Sequence, residues 1–185
     1  MDLVIVSAPF GVDRTPFMTK FVEELVAEEP RNVVVLRSDE KSSEISLKDE
    51  SSVRMERIEH ACVSCSIKAD LVSVLREMAR SKGPEVIVFE TDSRSRPATV
   101  MDAVKDCVDF PIGSITTIVV LDSGLFTSHQ KAWEQILEHQ ISEAELVVIY
   151  SNVHIDQGCN LDLEKHVRSL GFQGFISHMM TDNRP

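Results

Sequence analysis

The sequence has few cysteines, few basic residues and no long apolar run, and each shortage excludes a class of protein. Four cysteines in 185 residues are too few for a disulfide scaffold. With 19 Lys and Arg against 30 Asp and Glu, the formal net charge is −11, which argues against nucleic-acid or anionic membrane ligands because both require clustered positive charge. We therefore expect no nucleic-acid partner and no membrane partner.

The apolar stretches are all short. Nowhere do about 18 apolar residues, the minimum for a membrane-spanning helix, follow one another. The N-terminal MDLVIV lacks the charged n-region and the long apolar segment of a signal peptide. These features predict a cytoplasmic protein. The hydrophobic content of 43% is ordinary, and the length predicts a single domain over residues 1–185.

Short apolar runs alternate with segments of helical period. The runs are rich in Val and Ile and nearly continuous, as in strands buried on both faces. They lie at 3–7, 32–37, 85–90, 115–122, 145–151 and 172–177, with an edge strand at 53–58. Helices are expected near 17–25, 67–78, 97–108, 125–140 and 161–170, the last capped by Asn160 and ended by Gly171. The alternation predicts an α/β fold, a three-layer open and mostly parallel sheet with crossover helices. The charged segment 38–52 is expected to be a solvated loop.

A phosphate-binding loop would lie between the first strand and the first helix, where the sequence reads APFGVDRT at 8–15. Such a loop has the pattern G-x-x-x-x-G-K-[ST]: the backbone N–H groups face the phosphates, the lysine binds the β and γ oxygens, and the hydroxyl binds magnesium. Ala8 and Asp13 replace the two glycines and Arg14 replaces the lysine, while Thr15 is unchanged.

Asp13 is the most damaging of these changes. A carboxylate about 4 Å from a phosphate costs roughly 4 kcal/mol per pair of unit charges at an effective dielectric near 20, which is about a thousandfold in affinity. Arg14 can pair with a phosphate, but its planar fork is not equivalent to an ammonium group. Two interpretations are open. Either Gly11, Asp13, Arg14 and Thr15 form an altered nucleotide site, or the loop is a turn that meets no nucleotide.

The segment that precedes the second helix resembles a known signature. HACVSCSIKADL at 60–71 is similar to the G-C-I-C-C-T-V-R-x-D-L signature of the CobW-like GTPases, relatives of the HypB and UreG metallochaperones. Cys62 and Cys65 fall on the first and last thiols of the C-x-C-C in that signature, and Ser64 replaces the middle one.

Three further segments resemble motifs of this family in chain order, namely FETDSRSRP at 89–97, VVLDSGLF at 119–126 and QISEAELVVIYSNV at 140–153. Ser93 occupies the position of the family's switch glycine, and Tyr150 and Val153 stand where asparagine and aspartate would contact guanine. The resemblance implies a P-loop NTPase-like fold with GTP and Mg²⁺ as cofactors. Members of this family usually carry a C-terminal domain after the GTPase domain, and we expect none within these 185 residues.

The cysteine pair is a candidate metal site. Thiolates at C-x-x-C spacing, here Cys62 and Cys65, can hold one side of a tetrahedral Zn²⁺ or another transition metal, and His60 is a candidate third ligand. A second copy of the chain could supply further ligands, so a homo-oligomer is open. The alternative is a pair of free cysteines without a metal, and the two interpretations have equal weight.

Glu90 is the candidate catalytic residue. It ends a strand beside the phosphate-loop segment, where the crevice of an open α/β sheet forms. By resemblance and by position it would orient magnesium or its water. Without a nucleotide, it is expected to pair with Arg14.

Together these features favour a degenerate CobW-like protein. We expect weak or lost GTP binding and hydrolysis, with the cysteine pair retained for metal binding or partner docking in metalloenzyme or cofactor maturation. The alternatives are an active noncanonical GTPase metallochaperone and a non-enzymatic assembly or regulatory protein. A protein partner or metalloenzyme client is expected in each case.

Overall fold

Seven strands and five helices alternate along the chain in a computed structural model, which describes residues 1–29, 31–38, 43–48, 51–58, 66–80, 83–105, 111–152 and 157–181. In chain order the elements are β1 (Asp2–Ser7), α1 (Thr15–Glu28), β2 (Val33–Arg37), β3 (Val53–Arg57), α2 (Ser66–Arg80), β4 (Val86–Glu90), α3 (Pro97–Lys105), β5 (Ile115–Asp122), α4 (Ser123–Ser142), β6 (Leu146–Asn152), α5 (Gln157–Ser169) and β7 (Phe175–Thr181).

The strands form one sheet in the order β3-β2-β4-β1-β5-β6-β7. Every strand pair in it is parallel, so the sheet is fully rather than mostly parallel. Parallel neighbours need crossover connections, which the helices provide. The prediction of an open α/β sheet is confirmed, as is the position of 53–57 at an edge.

Helices cover both faces of the sheet, because successive side chains of a strand point to opposite faces. Leu3 and Ile5 of β1 belong to a buried cluster with Leu71 of α2. Val4 and Val6 of the same strand belong to a second cluster, which includes α1. The near-continuous apolar runs of the sequence are thus explained by burial on two sides.

The last strand and the last helix begin at other residues than predicted. Strand β7 begins at Phe175, three residues later than the predicted start, because Gly171 has φ +90° and the chain turns before the strand. Helix α5 begins at Gln157, so Asn160 lies inside the helix and is not its cap. Its amide donates to Ser151 Oγ at 3.2 Å, a tertiary contact that helical periodicity does not reveal.

Part of the charged segment 38–52 is packed rather than solvated. Within its described residues 43–48, Ile45 is buried and Leu47 is partly buried against the α1 side of the core. The backbone N–H of Lys48 donates to Glu23 of α1 at 3.2 Å. The expectation of a solvated loop is wrong for these two apolar residues, which pack into the core, whereas the other residues of 43–48 are exposed.

The parallel arrangement brings the carboxyl ends of neighbouring strands to one edge of the molecule. The β2–β4 register places Arg37 opposite Glu90, and the β5–β6 register places Asp122 opposite Tyr150. The loop after β1 lies between these two pairs, because β1 is hydrogen-bonded to both β4 and β5. The candidate site is built at this edge.

Candidate functional site

The loop between β1 and α1 is fixed by backbone and side-chain hydrogen bonds. Gly11 has φ +90°, a conformation that favours glycine. The N–H of Val12 donates to the carbonyl of Pro9 at 3.3 Å. The fully buried indole of Trp133 donates from Nε1 to the carbonyl of Phe10 at 2.8 Å. Helix α4 therefore holds the tip of the loop.

Asp13 places its own carboxylate at the N-terminus of α1. Its Oδ1 accepts a hydrogen bond from the backbone N–H of Thr15, the first residue of the helix, at 2.9 Å. The first N–H groups of a helix have no partner within the helix, and the helix dipole favours a negative group beside them. A bound phosphate uses the same two features. In this chain a side-chain carboxylate uses one of those N–H groups.

Tyr150 contacts the same loop from β6. Its side chain lies close enough to Asp122 and to the backbone of Asp13 for both to affect its pKa. Burial raises the pKa of Tyr150 above its ordinary value, and the negative charge of Asp122 and the hydrogen bond to it raise it further. The tyrosine therefore stays neutral beside the loop.

Pro16 is a feature of the loop that the sequence analysis missed. It lies in the first turn of α1, where its fixed φ is favourable and its missing N–H is easily tolerated. The same missing N–H removes a donor that could face an anion at the helix start. The signal was visible in the sequence, because Pro16 directly follows Thr15, the residue that matches the P-loop pattern.

Beneath the loop, Arg14 and Arg37 hold Glu90 between them. Arg14 Nε lies 2.9 Å from Glu90 Oε1, and Arg37 Nε donates to Glu90 Oε2 at 2.5 Å. Arg14 Nη1 also donates to the carbonyl of Thr91 at 2.6 Å. Glu90 is completely buried, and both arginines are at least nine-tenths buried. Buried charges of this kind persist only when they are paired.

Arg37 was not among the predicted site residues. It ends β2 and pairs with Glu90 because the two residues are opposite each other in the parallel register. Its Nη1 donates to the carbonyl of Ser43 at 2.8 Å. The sequence signal for Arg37 is an arginine at the end of a buried apolar run. This position is unusual, because arginine is seldom buried without a partner.

The structure thus brings together all the predicted residues that belong to the nucleotide loop, together with Glu90. Thr15 keeps its position at the start of α1, and its Oγ1 is buried without a hydrogen-bond partner. The predicted metal ligands Cys62, Cys65 and His60 lie outside the described residues. Among the residues that the structure does describe, no group of three His, Cys, Asp or Glu side chains could hold a metal ion.

Helices able to cross a membrane are also absent from the described ranges, since none is both long and apolar enough.

The sequence profile of the CobW/HypB/UreG nucleotide-binding domain matches residues 2–167, which is most of the chain. The chain belongs to the CobW/HypB/UreG family. The resemblance seen in the separate motifs is therefore confirmed. No individually curated protein matches the chain.

Solved structures support the same fold. The Zn(II)-bound GTPase YjiA from E. coli has a TM-score of 0.59 at 10% identity and covers 100% of this chain. The hydrogenase maturation factor HypB from Archaeoglobus fulgidus has a TM-score of 0.58 at 13% identity and covers 97% of it. FlhF complexed with GTP and Mg²⁺ has a TM-score of 0.55 at 12% identity and covers 100%.

This member of the CobW/HypB/UreG family spans 58% of the YjiA chain, 81% of the HypB chain and 66% of the FlhF chain. At these identities the likeness establishes a P-loop NTPase-like fold, and the activities of those proteins belong to them.

Proposed function

We propose that this member of the CobW/HypB/UreG family has weak or lost GTP binding and hydrolysis and acts through metal binding or partner docking by its cysteine pair. The single observation that carries the first half is the state of the loop between β1 and α1. Its backbone N–H groups at Val12 and Thr15 are engaged by atoms of the chain itself. Phosphate binding would have to displace these partners.

The charge of the site supports the same proposal. Asp13 places a carboxylate at the N-terminus of α1, where a triphosphate would lie, and Asp122 adds a second negative charge beside Tyr150 at the same edge of the sheet. The arginine that replaces the usual lysine, Arg14, is committed to Glu90 and to the carbonyl of Thr91. In this proposal Glu90 is the counterion of two buried arginines and has no role in orienting magnesium.

The thiol half of the proposal depends on sequence. Cys62 and Cys65 keep a C-x-x-C spacing beside His60, which suits a metal with tetrahedral thiolate and imidazole ligands. Among the structural neighbours, YjiA is Zn(II)-bound and HypB is a hydrogenase maturation factor. We therefore place this chain in metalloenzyme or cofactor maturation, with a protein client. A cytoplasmic location is part of the proposal, because such a site requires reduced thiols.

The nucleotide half is tested by titrating GTP with Mg²⁺ into the purified protein by calorimetry. We expect no binding up to millimolar GTP. The double variant Asp13→Gly with Arg14→Lys should bind GTP more tightly. It removes the repulsion between the Asp13 carboxylate and a phosphate, which lowers affinity roughly a thousandfold. Asp13→Asn is the matched control for charge, since it keeps the Oδ1 acceptor, and it should recover only part of the gain. Micromolar binding by the unmodified chain would refute the loss of nucleotide binding.

The thiol half is tested by the metal content of the untagged protein. We expect a bound transition metal that is lost in Cys65→Ser and retained in Cys159→Ser, whose cysteine lies half-buried in α5. Equal metal content in both variants, or none in the unmodified chain, would leave partner docking as the only role of the pair. Native mass spectrometry then reports whether a second copy or a client is bound.

One observation favours a second candidate function, a noncanonical nucleotide hydrolase. The hydroxyl of Thr15 is buried without a hydrogen-bond partner, at the position that the P-loop pattern reserves for magnesium. The calorimetric titration separates this candidate from the first, because a hydrolase must bind Mg²⁺ and nucleotide together.

A further inference from the structure

Two side chains near the end of α4 contact the segment 91–97, which follows β4. The first is Gln140, which is completely buried. Its Nε2 donates to the carbonyl of Ser93 at 3.3 Å and to the carbonyl of Ser95 at 3.4 Å. A buried amide must pair its N–H groups with acceptors, because a buried donor without a partner is costly. By donating to two carbonyls of one loop, Gln140 holds that loop against α4.

The second side chain is Glu143, one turn further along. Its Oε1 accepts from Nε of Arg96 at 3.0 Å, and the same carboxylate pairs with the Nη2 of that arginine. Its Oε2 accepts from the backbone N–H of Ala98 at 2.8 Å. Ala98 lies in the first turn of α3, so Glu143 satisfies one of the N–H groups that a helix start leaves open. One carboxylate therefore fixes both the end of the segment and the helix that follows.

The segment is also held from within and at its beginning. The N–H of Arg94 donates to Asp92 Oδ1 at 2.8 Å, and the N–H of Ser95 donates to the carbonyl of Asp92 at 2.9 Å. The N–H of Thr91 donates to the carbonyl of Val6 in β1 at 2.9 Å. Contacts are thus distributed along the whole segment rather than confined to its ends.

We infer that Gln140 and Glu143 clamp the segment 91–97 in one conformation that does not depend on nucleotide. In GTPases, segments that contact the γ-phosphate become ordered when it binds and are released on hydrolysis. Here five hydrogen bonds join these two residues to the segment and to the start of α3, so contacts within the chain order the segment. A partner that recognises the outer surface of this segment would meet the same surface at all times.

The clamp also stabilises the buried charges of the site. Thr91 begins the segment and its carbonyl accepts from Arg14 Nη1, so a fixed segment keeps Arg14 directed toward Glu90. The inference goes beyond the proposed function and does not depend on it, because the clamp would hold the segment whether or not GTP binds.

Hydrogen exchange of the full-length protein, followed by mass spectrometry of the peptide that covers 92–98, tests the clamp. We expect slow exchange that Mg²⁺ and GTP leave unchanged. Glu143→Ala should accelerate exchange of this peptide at least about tenfold, because it removes hydrogen bonds to a charged acceptor. Arg96→Ala removes the other partner of the Arg96–Glu143 pair, the one that belongs to the segment. It should also accelerate exchange of this peptide, and it leaves the residues of α4 unchanged.

The control is Glu138→Ala, which removes an exposed carboxylate from the same helix and should leave the peptide unchanged. Amides of β1 serve as a reference for global unfolding in every variant. Unchanged exchange in both Glu143→Ala and Arg96→Ala would overturn the clamp, as would a change on addition of GTP. GTP binding by calorimetry with unchanged exchange would refute the proposed function and leave the clamp supported.

Discussion

At the residue scale, a fully buried carboxylate lies between two buried guanidinium groups. Glu90 contacts Arg14 and Arg37 at 2.9 and 2.5 Å, and none of the three is more than slightly exposed. Such an arrangement need not be more stable than an apolar one, but removing a single partner leaves uncompensated charge in the interior.

Glu90→Gln should therefore destabilise the protein strongly, by about 3–5 kcal/mol in the free energy of unfolding. The substitution keeps the size of the side chain and removes only its charge, so two buried arginines lose their counterion. Urea denaturation measures the change. Glu24→Gln, on an exposed side chain of α1, is the matched control and should cost less than about 0.5 kcal/mol. Similar costs for the two variants would contradict the buried pairing.

Tyr150 makes the free energy of unfolding depend on pH in the alkaline range. Its folded-state pKa is raised, first by burial and then by Asp122, whereas an unfolded tyrosine titrates near pH 10. Above about pH 10 the unfolded state holds fewer protons than the folded state, so stability falls as pH rises, by up to about 1.4 kcal/mol per pH unit. Below that pH the contribution is fully present.

Urea denaturation between about pH 9 and pH 11 should show this loss in the unmodified chain and a smaller one in Tyr150→Phe, which cannot ionise. The chain contains a single tyrosine, so phenolate absorbance reports on this residue alone. Phenolate that appeared near pH 10 while the protein was still folded would contradict the raised pKa.

Some residues of the site can be located from the sequence, and others cannot. Loop residues Asp13 and Arg14 and the pairing of Arg14 with Glu90 could be anticipated, because motif frame and strand ends locate them in the sequence. Arg37 could not, since its role depends on the register between β2 and β4, which is a property of strands distant in the sequence. Motif comparison predicts Tyr150 only as a replacement for a base-contacting residue, whereas in the structure it lies beside Asp122 and the loop.

At the scale of elements, the strand-to-helix and helix-to-strand turns decide where each element begins and ends. The end of α5 is set by Gly171, whose φ is +90°. Its N–H donates to the carbonyl of Arg168 at 3.0 Å, and Arg168 Nη1 donates to the carbonyls of Phe172 and Gly174. The turn is thus built from backbone conformation together with one long side chain.

Gly171→Ala should destabilise the protein by about 1–2 kcal/mol, because an L side chain is strained at positive φ. A Cβ at this position would have no atom within 4 Å, so the cost comes from the backbone alone. Gly171→Asn is the control, since asparagine tolerates this conformation better and should cost less. Thermal unfolding measures both variants. An equal cost for the two would show that the conformation of the turn is not the cause.

Element boundaries were predicted with mixed success for a physical reason. Apolar periodicity locates the buried middle of each strand and helix, so all seven strands and the helices were found. It carries no information on ends, which depend on caps and tertiary contacts. Asn160 is a good cap by residue type, but its amide bonds Ser151 inside α5. At the start of a different helix, α4, the cap is Asp122, whose Oδ1 accepts from the N–H of Gly124 at 2.7 Å.

For the molecule as a whole, the central strand β1 joins the two layers of the core. Leu3 and Ile5 pack into one buried cluster, and Val4 and Val6 pack into the other. Neither layer can lose its packing without exposing residues of the strand that the other layer uses. If the predicted single domain over 1–185 is right, the two layers should therefore unfold together.

Urea unfolding should be one cooperative transition. Fluorescence of the single tryptophan, Trp133, reports on α4 and its cluster, while far-ultraviolet circular dichroism reports on all helices. We expect the two curves to superimpose, as in two-state unfolding. A separate transition for either probe would mean that the chain contains two independently stable units.

By itself, the sequence determined that this chain is a parallel α/β protein of the CobW/HypB/UreG family with an altered phosphate loop. Hydrophobic periodicity and motif spacing are local properties, and they survive in any register of the strands. Tertiary structure alone decided which atoms occupy the loop and the crevice. Contacts between Arg37 and Glu90, Tyr150 and Asp122, and Glu143 and Ala98 join residues far apart in sequence, and only the packed sheet brings them together.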